Sequence, residues 1–180
     1  MNFTLTYDGN LKANGPVPHK QELRRVFHQQ LLELWKGTPF SGLKCPGESL
    51  IRIVGKYRFF PLVSAARNEI AKLHVIMLRP ELGPGHIVIQ GGDIDNRLKT
   101  LFDSLRMPKD TSEIPTTDAQ GDNEDPFFCL LEDDILITDL SVATDRLLEP
   151  CASNQRVKLV IRVQIEKVPM IGANMVSCLR

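Results

Sequence analysis

The sequence has no run of about 18 or more apolar residues, so it offers no candidate membrane-crossing helix. Its opening, MNFTLTYDGN, lacks the basic-then-apolar order of a secretory leader. Together these absences set the expectation of a cytoplasmic protein with no membrane partner. Cysteine is scarce: Cys45, Cys129, Cys151 and Cys178 are widely separated, form no C-x-x-C pair and have no histidine at zinc-ligand spacing. Free structural thiols are expected, rather than a zinc site or a disulfide framework. His19, His28, His74 and His86 are equally dispersed and read as ordinary core or surface residues. There is also no surplus of either charge, with 22 Lys+Arg against 22 Asp+Glu, which argues against a uniformly basic nucleic-acid coat.

What is present is 180 residues with 42% hydrophobic content, enough for one sizeable core and too little for two complete domains. The reading is therefore one domain, 1–180. The neutral total hides a segregation of charge. Residues 1–90 hold 12 Lys+Arg and 6 Asp+Glu, residues 91–154 hold 5 and 15, and residues 155–180 hold 5 and 1. Basic surface around a concentrated acidic site fits this pattern, and so does a neutral protein with one acidic loop.

Phe3, Leu5 and Tyr7 alternate with threonines and predict a half-buried strand that stops in Asp8-Gly9-Asn10. After Pro16 and Pro18, Leu23, Val26, Phe27, Leu31 and Leu34 recur at helical spacing, and Gly37 stands at the stop. Residues 38–47 read as loop. SLIRIV, YRFFPLV, KLHVIML and HIVIQ follow as short β-like runs. Val157, Leu159, Ile161, Val163 and Ile165 keep a two-residue period that marks the most secure strand. Residues 107–126 are acidic, hold three prolines and almost no apolar residue, and read as a long, flexible, solvated loop.

The chemistry concentrates in GGDIDNRLKTLFDSLRM, residues 91–107, and LLEDDILITDL, residues 130–140. Ile94, Leu98, Leu101, Phe102 and Leu105 form one apolar stripe of a helix that begins near Asp93. Asp95, Lys99 and Asp103 recur every four residues beside that stripe. One aspartate at a helix start is explained by capping and by the helix dipole. A D-x-D pair, with Asp133-Asp134 opening a later apolar strand, strains that explanation. Two carboxylates about 5 Å apart repel by roughly 3 kcal/mol at an effective dielectric near 20, so convergence calls for a cation. Mg²⁺ takes oxygen ligands, one or two of them carboxylates, with water and substrate phosphate completing its octahedron. Lys99 is either an ammonium aimed at the same place or an ordinary i,i+4 partner of Asp95.

These two segments resemble the RusA family of Holliday junction resolvases. D-I-D-N-R-L-K-T-L-F-D-S-L reproduces the family's aspartates, asparagine and lysine with their spacing, and E-D-D-I-L-I-T-D-L matches its Asp-Asp pair. The resemblance implies an α+β fold, a mixed β-sheet flanked by two main helices. It also implies Asp93, Asp95 and Asp134 as metal-binding catalytic carboxylates, Asp133 as their acidic neighbour and further ligand, and Lys99 as the catalytic lysine. The implied cofactor is Mg²⁺, with Mn²⁺ as a substitute. The implied protein is a homodimer that acts on DNA by making paired nicks in four-way junctions during recombination and repair. The 107–126 insertion and Ile135, where the family commonly has a polar residue, depart from the pattern.

Arg52, Lys56, Arg58 and Arg67 are candidates for phosphate contact, with a solvated sheet face as the plainer reading of each. Two other functions are consistent with the same residues: a catalytically silent DNA-binding homologue, and a metal-dependent nuclease on another branched or single-stranded DNA.

Overall fold

A computed structural model describes residues 1–37, 46–80, 93–150, 153 and 155–169, with Asp93 described as backbone only. The HIVIQ run, the Gly91-Gly92 pair, Cys45, Cys151, Cys178 and His86 lie outside the described residues.

The chain order is β1 (Asn2–Asn10), α1 (Val17–Lys36), β2 (Arg52–Val54), β3 (Tyr57–Val63), β4 (Glu69–Arg79), α2 (Asp93–Leu105), β5 (Phe127–Leu131), β6 (Ile137–Arg146) and β7 (Arg156–Lys167). The fold is α+β, as expected. The mixed sheet expected from the sequence is present, among the described residues, as two mixed sheets. One has the order β1-β7-β4-β6 and the other β2-β3-β5. β7 pairs antiparallel with both β1 and β4, whereas β6 lies parallel to β4. In the small sheet, β3 is antiparallel to β2 and parallel to β5. Among the described residues, no helix is long and apolar enough to cross a membrane.

The periodicities explain the layers. β4 and β7 alternate buried with accessible residues, so each turns one face to the core, as the period of 157–165 requires. β3 and β5 are buried almost continuously, YRFFPLV and FFCLL, and strands of that kind need cover on both faces. On one face, Phe60 and Phe128 meet Trp35 of α1 at ring-centroid distances of 5.1 and 5.7 Å, in the main core that also holds Leu73, Val75, Leu101, Leu105 and Ile161. On the other, Tyr57, Phe59, Phe127 and Cys129 form a second cluster closed by Ile114, with Met107 packed against it.

Both closing residues belong to the acidic segment. Residues 107–126 are the irregular, largely accessible segment the sequence suggests, but Ile114 and Met107 tie it to the core. The arginines that the segment meets hold it there. Arg25 pairs with Asp118 at 2.9 Å and Glu124 at 2.7 Å, Arg106 with Glu113 at 2.8 Å, and Arg58 with Asp125 at 3.0 Å. Thr111 of the same segment sits against the β2–β3 turn, where Gly55 has φ of +60°, and a Cβ at Gly55 would come within 2.9 Å of its Cγ2.

α1 also departs from its expected stripe. Val26 is exposed, while Arg24 and His28 join Leu23, Phe27, Leu31 and Trp35 in the interior. His28 is satisfied there and Arg24 through its two terminal nitrogens, while Arg24 Nε is buried without a hydrogen-bond partner. Arg24 donates to the Asp103 carbonyl at 2.9 Å and the Glu113 carbonyl at 3.0 Å. His28 accepts from the Phe128 amide at Nδ1, 2.8 Å away, and its Nε2 lies 3.0 Å from the Asn123 carbonyl.

Candidate active site

α2 forms where the apolar stripe predicts it, with Leu101 and Leu105 fully buried and Ile94, Leu98 and Phe102 partly so. Its inner side is fastened to the start of the chain. The Gly15 amide donates to Thr100 Oγ1 at 2.8 Å, and the Asn14 amide reaches the Asn96 carbonyl at 3.3 Å. Asp95 and Lys99 remain exposed on the outer flank. Asp103 does not share that flank. Steps of four residues on a 3.6-residue helix advance the row by about 40° each, so the third member has turned toward α1. There it binds Lys20 at 2.7 Å and Arg106 at 3.0 Å and is buried. Lys20 and Arg106 hold its carboxyl below the usual range against the opposing effect of burial. Asp103 is a structural pin between the helices, not a partner of Lys99.

The second motif is carried by the end of β5. The bridge between Arg106 and Leu131, with the Met107 amide donating to the Leu131 carbonyl at 2.9 Å, ties the exit of α2 to the exit of β5. Glu132 follows and is consumed structurally. It accepts from Ser64 Oγ at 2.5 Å, Arg52 Nε at 3.1 Å and the Ala65 amide at 3.2 Å. The sequence expects Asp133-Asp134 to open a strand directly. In the structure a 3-10 turn, Asp134–Leu136, intervenes before β6, and Asp133 caps it by accepting from the Ile135 amide at 3.1 Å. This turn packs against α2.

Within the turn, Asp133 and Asp134 are adjacent, and each carboxyl shifts the ionisation of the other. Like charges so close cannot both ionise freely. Asp134 is raised above the usual carboxylate range by its contact with Asp133, by burial and by the neighbouring negative charge. Asp133 moves the other way. Burial opposes its ionisation, but the hydrogen bond with Asp134, the Ile135 amide and Lys109 together hold it at about 2. Lys109 places Nζ 3.1 Å from Asp133 Oδ2.

The structure thus brings together Asp133, Asp134 and Lys109; Asp95 and Lys99 are exposed on α2, and Asp95 forms no group of three with the pair. The side chain of Asp93 lies outside the described atoms. Among the described residues no group of three or more His, Cys, Asp or Glu side chains is close enough to hold one metal ion. The Asp133–Asp134 pair by itself is a hard-oxygen donor set of the size that Mg²⁺ takes from a protein, with waters and substrate phosphate as the remaining ligands.

No family model matches the chain, and no curated protein matches it.

The phosphate-contact candidates divide. Arg52 is paired with Glu132, Arg58 with Glu48 at 2.6 Å and with Asp125, and Arg67 with Glu69 at 2.7 Å. Arg67 also donates to the Pro61 and Leu62 carbonyls and lies 5.6 Å over the Phe60 ring. Lys56 is exposed in the β2–β3 turn. Sequence reasoning missed Lys109, Arg106 and Glu132. The first two lie at the helix exit, where no motif marks them, and only the bridge to β5 brings them to the aspartates.

Proposed function

We propose that the chain is a Mg²⁺-dependent endonuclease of the RusA type, a homodimer that resolves four-way DNA junctions by paired phosphodiester hydrolysis. One observation carries the reading: the adjacent Asp133 and Asp134 lie at a partly exposed turn that packs against the helix bearing the D-I-D-N-R-L-K spacing. A carboxylate pair of that kind is costly unless a proton or a cation is shared between its members.

In this reading Asp133 and Asp134 would hold the ion, and Asp95, which forms no group of three with them, would join only once the ion drew the carboxylates together, with Asp93 as the further ligand the resemblance implies. When bound, Mg²⁺ lowers the pKa of a coordinated water and neutralises charge on the attacked phosphate. The protein's own groups do the rest. Lys99, exposed one turn beyond Asp95, offers an ammonium to the negative charge that develops on the phosphoryl oxygens. Lys56, exposed in the β2–β3 turn, offers a phosphate contact that orients the junction without reading its sequence, whereas Arg52, Arg58 and Arg67 would first have to leave their carboxylates.

Incubation of the purified protein and Mg²⁺ with an end-labelled synthetic four-way junction tests the proposal. Symmetric nicks in opposing strands are expected. Binding without cleavage would identify a silent DNA-binding homologue, and cleavage confined to flaps or single strands a nuclease of different substrate; either result overturns the resolvase reading.

A further inference from the structure

Lys109 belongs to neither motif, yet the fold aims it at the aspartate pair. Its backbone is held on both sides. The Met107 amide is bonded to the Leu131 carbonyl, and the Lys109 amide donates to Glu113 Oε2 at 3.2 Å. Glu113 is itself gripped by both terminal nitrogens of Arg106, at 2.8 and 2.9 Å. The next residue, Asp110, caps a short 3-10 turn by accepting from the Ser112 amide at 2.7 Å. From this fastened base the Lys109 side chain, 52% exposed, reaches Asp133.

We infer that Lys109 is a positioning residue that occupies the cation position on Asp133 until a divalent ion arrives, and then turns to a phosphate of the bound strand. The inference rests on the metal-dependent reading above and extends it to a residue outside the motifs. An ammonium and a divalent cation compete for the same carboxylate oxygens. Removing the ammonium therefore leaves the pair with uncompensated negative charge, which a cation binds more tightly. The lysine stem is flexible and its head half in water, so release from Asp133 costs little and leaves three N–H donors for a phosphate oxygen. Lys109 thus weakens the empty site's hold on metal and strengthens its hold on nucleic acid.

The test compares Lys109→Gln and Lys109→Arg with the unaltered chain. Mn²⁺ is titrated in without DNA, followed by paramagnetic broadening of the Asp133, Asp134 and Ile135 amide signals. Lys109→Gln should bind Mn²⁺ up to about fivefold more tightly, the scale of one exposed ion pair. Lys109→Arg should stay near the original affinity. With junction DNA, Lys109→Gln should lower the slope of log affinity against log salt by about one phosphate contact. If Mn²⁺ broadens these amides with equal affinity in Lys109→Gln and the unaltered chain, the role of Lys109 is overturned while the metal reading stands. If Mn²⁺ broadens none of them in any variant, the metal reading falls and takes this inference with it.

Discussion

Two sets of carboxylates in one acidic stretch are treated in opposite ways by this fold. Asp103, Glu113, Glu124 and Glu132 each face a cation: Lys20, Arg106, Arg25 and Arg52 respectively. All four sit below the usual carboxylate range, because those partners, and for Glu132 the Ser64 hydroxyl before Arg52, outweigh the effect of burial. Asp133 and Asp134 instead have each other as neighbours, with one half-exposed ammonium, Lys109 Nζ, on Asp133. The first arrangement holds the molecule together. The second adds repulsion where packing does not require it, and such places are where function is sought.

The largest effects are expected at the Asp95 and Lys99 positions. Asp95→Asn is expected to abolish junction cleavage while circular dichroism and junction binding stay unchanged, since it removes a carboxylate from an exposed position without altering bulk. Retained cleavage would strike Asp95 from the site. Lys99→Ala should slow single-turnover cleavage by about a hundredfold or more, with a smaller change in DNA affinity. A pure loss of affinity would make it a phosphate-binding lysine.

The structural carboxylates should respond in stability instead. Arg24 is 1% exposed and donates to carbonyls of both α2 and the acidic segment, so Arg24→Met strips two elements of buried partners at once. Urea unfolding should show a loss of about 3 kcal/mol, at the low end for breaking a buried charged network. If the loss is below about 1 kcal/mol, the acidic segment is not held through Arg24.

Acid should act on the same network and on His28 in separate windows. Burial holds His28 below its ordinary 6.5, so the unfolded chain takes up the proton first. Its contribution is complete above about pH 6.5 and declines as pH falls below that, and His28→Gln should flatten this part of the stability profile. The paired carboxylates, lowered in the folded state, contribute fully above their ordinary range near pH 4 and lose that contribution as pH falls further. Glu113→Gln should diminish only this second phase. The smallest effect is expected at Arg58, whose partner Glu48 is largely exposed. Arg58→Ala should leave the midpoint of the same unfolding assay almost unchanged.

Much of the fold was legible because its signals are local. The stripe of Leu98, Leu101 and Leu105 is a helix in any context that buries one face, and the period of 157–165 is a strand in any sheet with one face covered. The differences arose where long-range partners decide. Val26 fits a helical stripe yet is exposed, because Arg24 and His28 found hydrogen bonds from other elements and took the interior. Residues 107–126 look solvated when read alone, since nothing local shows that Arg25, Arg58 and Arg106 will neutralise them.

For the candidate site, the chain's own order fixed the D-x-D-N-x-x-K spacing and hence which residues of α2 share an exposed flank, because helix geometry depends only on sequence separation. It also fixed that Asp133 and Asp134 are neighbours. Tertiary structure alone decided that Asp103 would turn inward to Lys20, that Glu132 would be spent on Ser64 and Arg52, and that Lys109 would meet Asp133. Those outcomes depend on contacts between residues far apart in the chain, which only the closing of the core around β5 and α2 brings together.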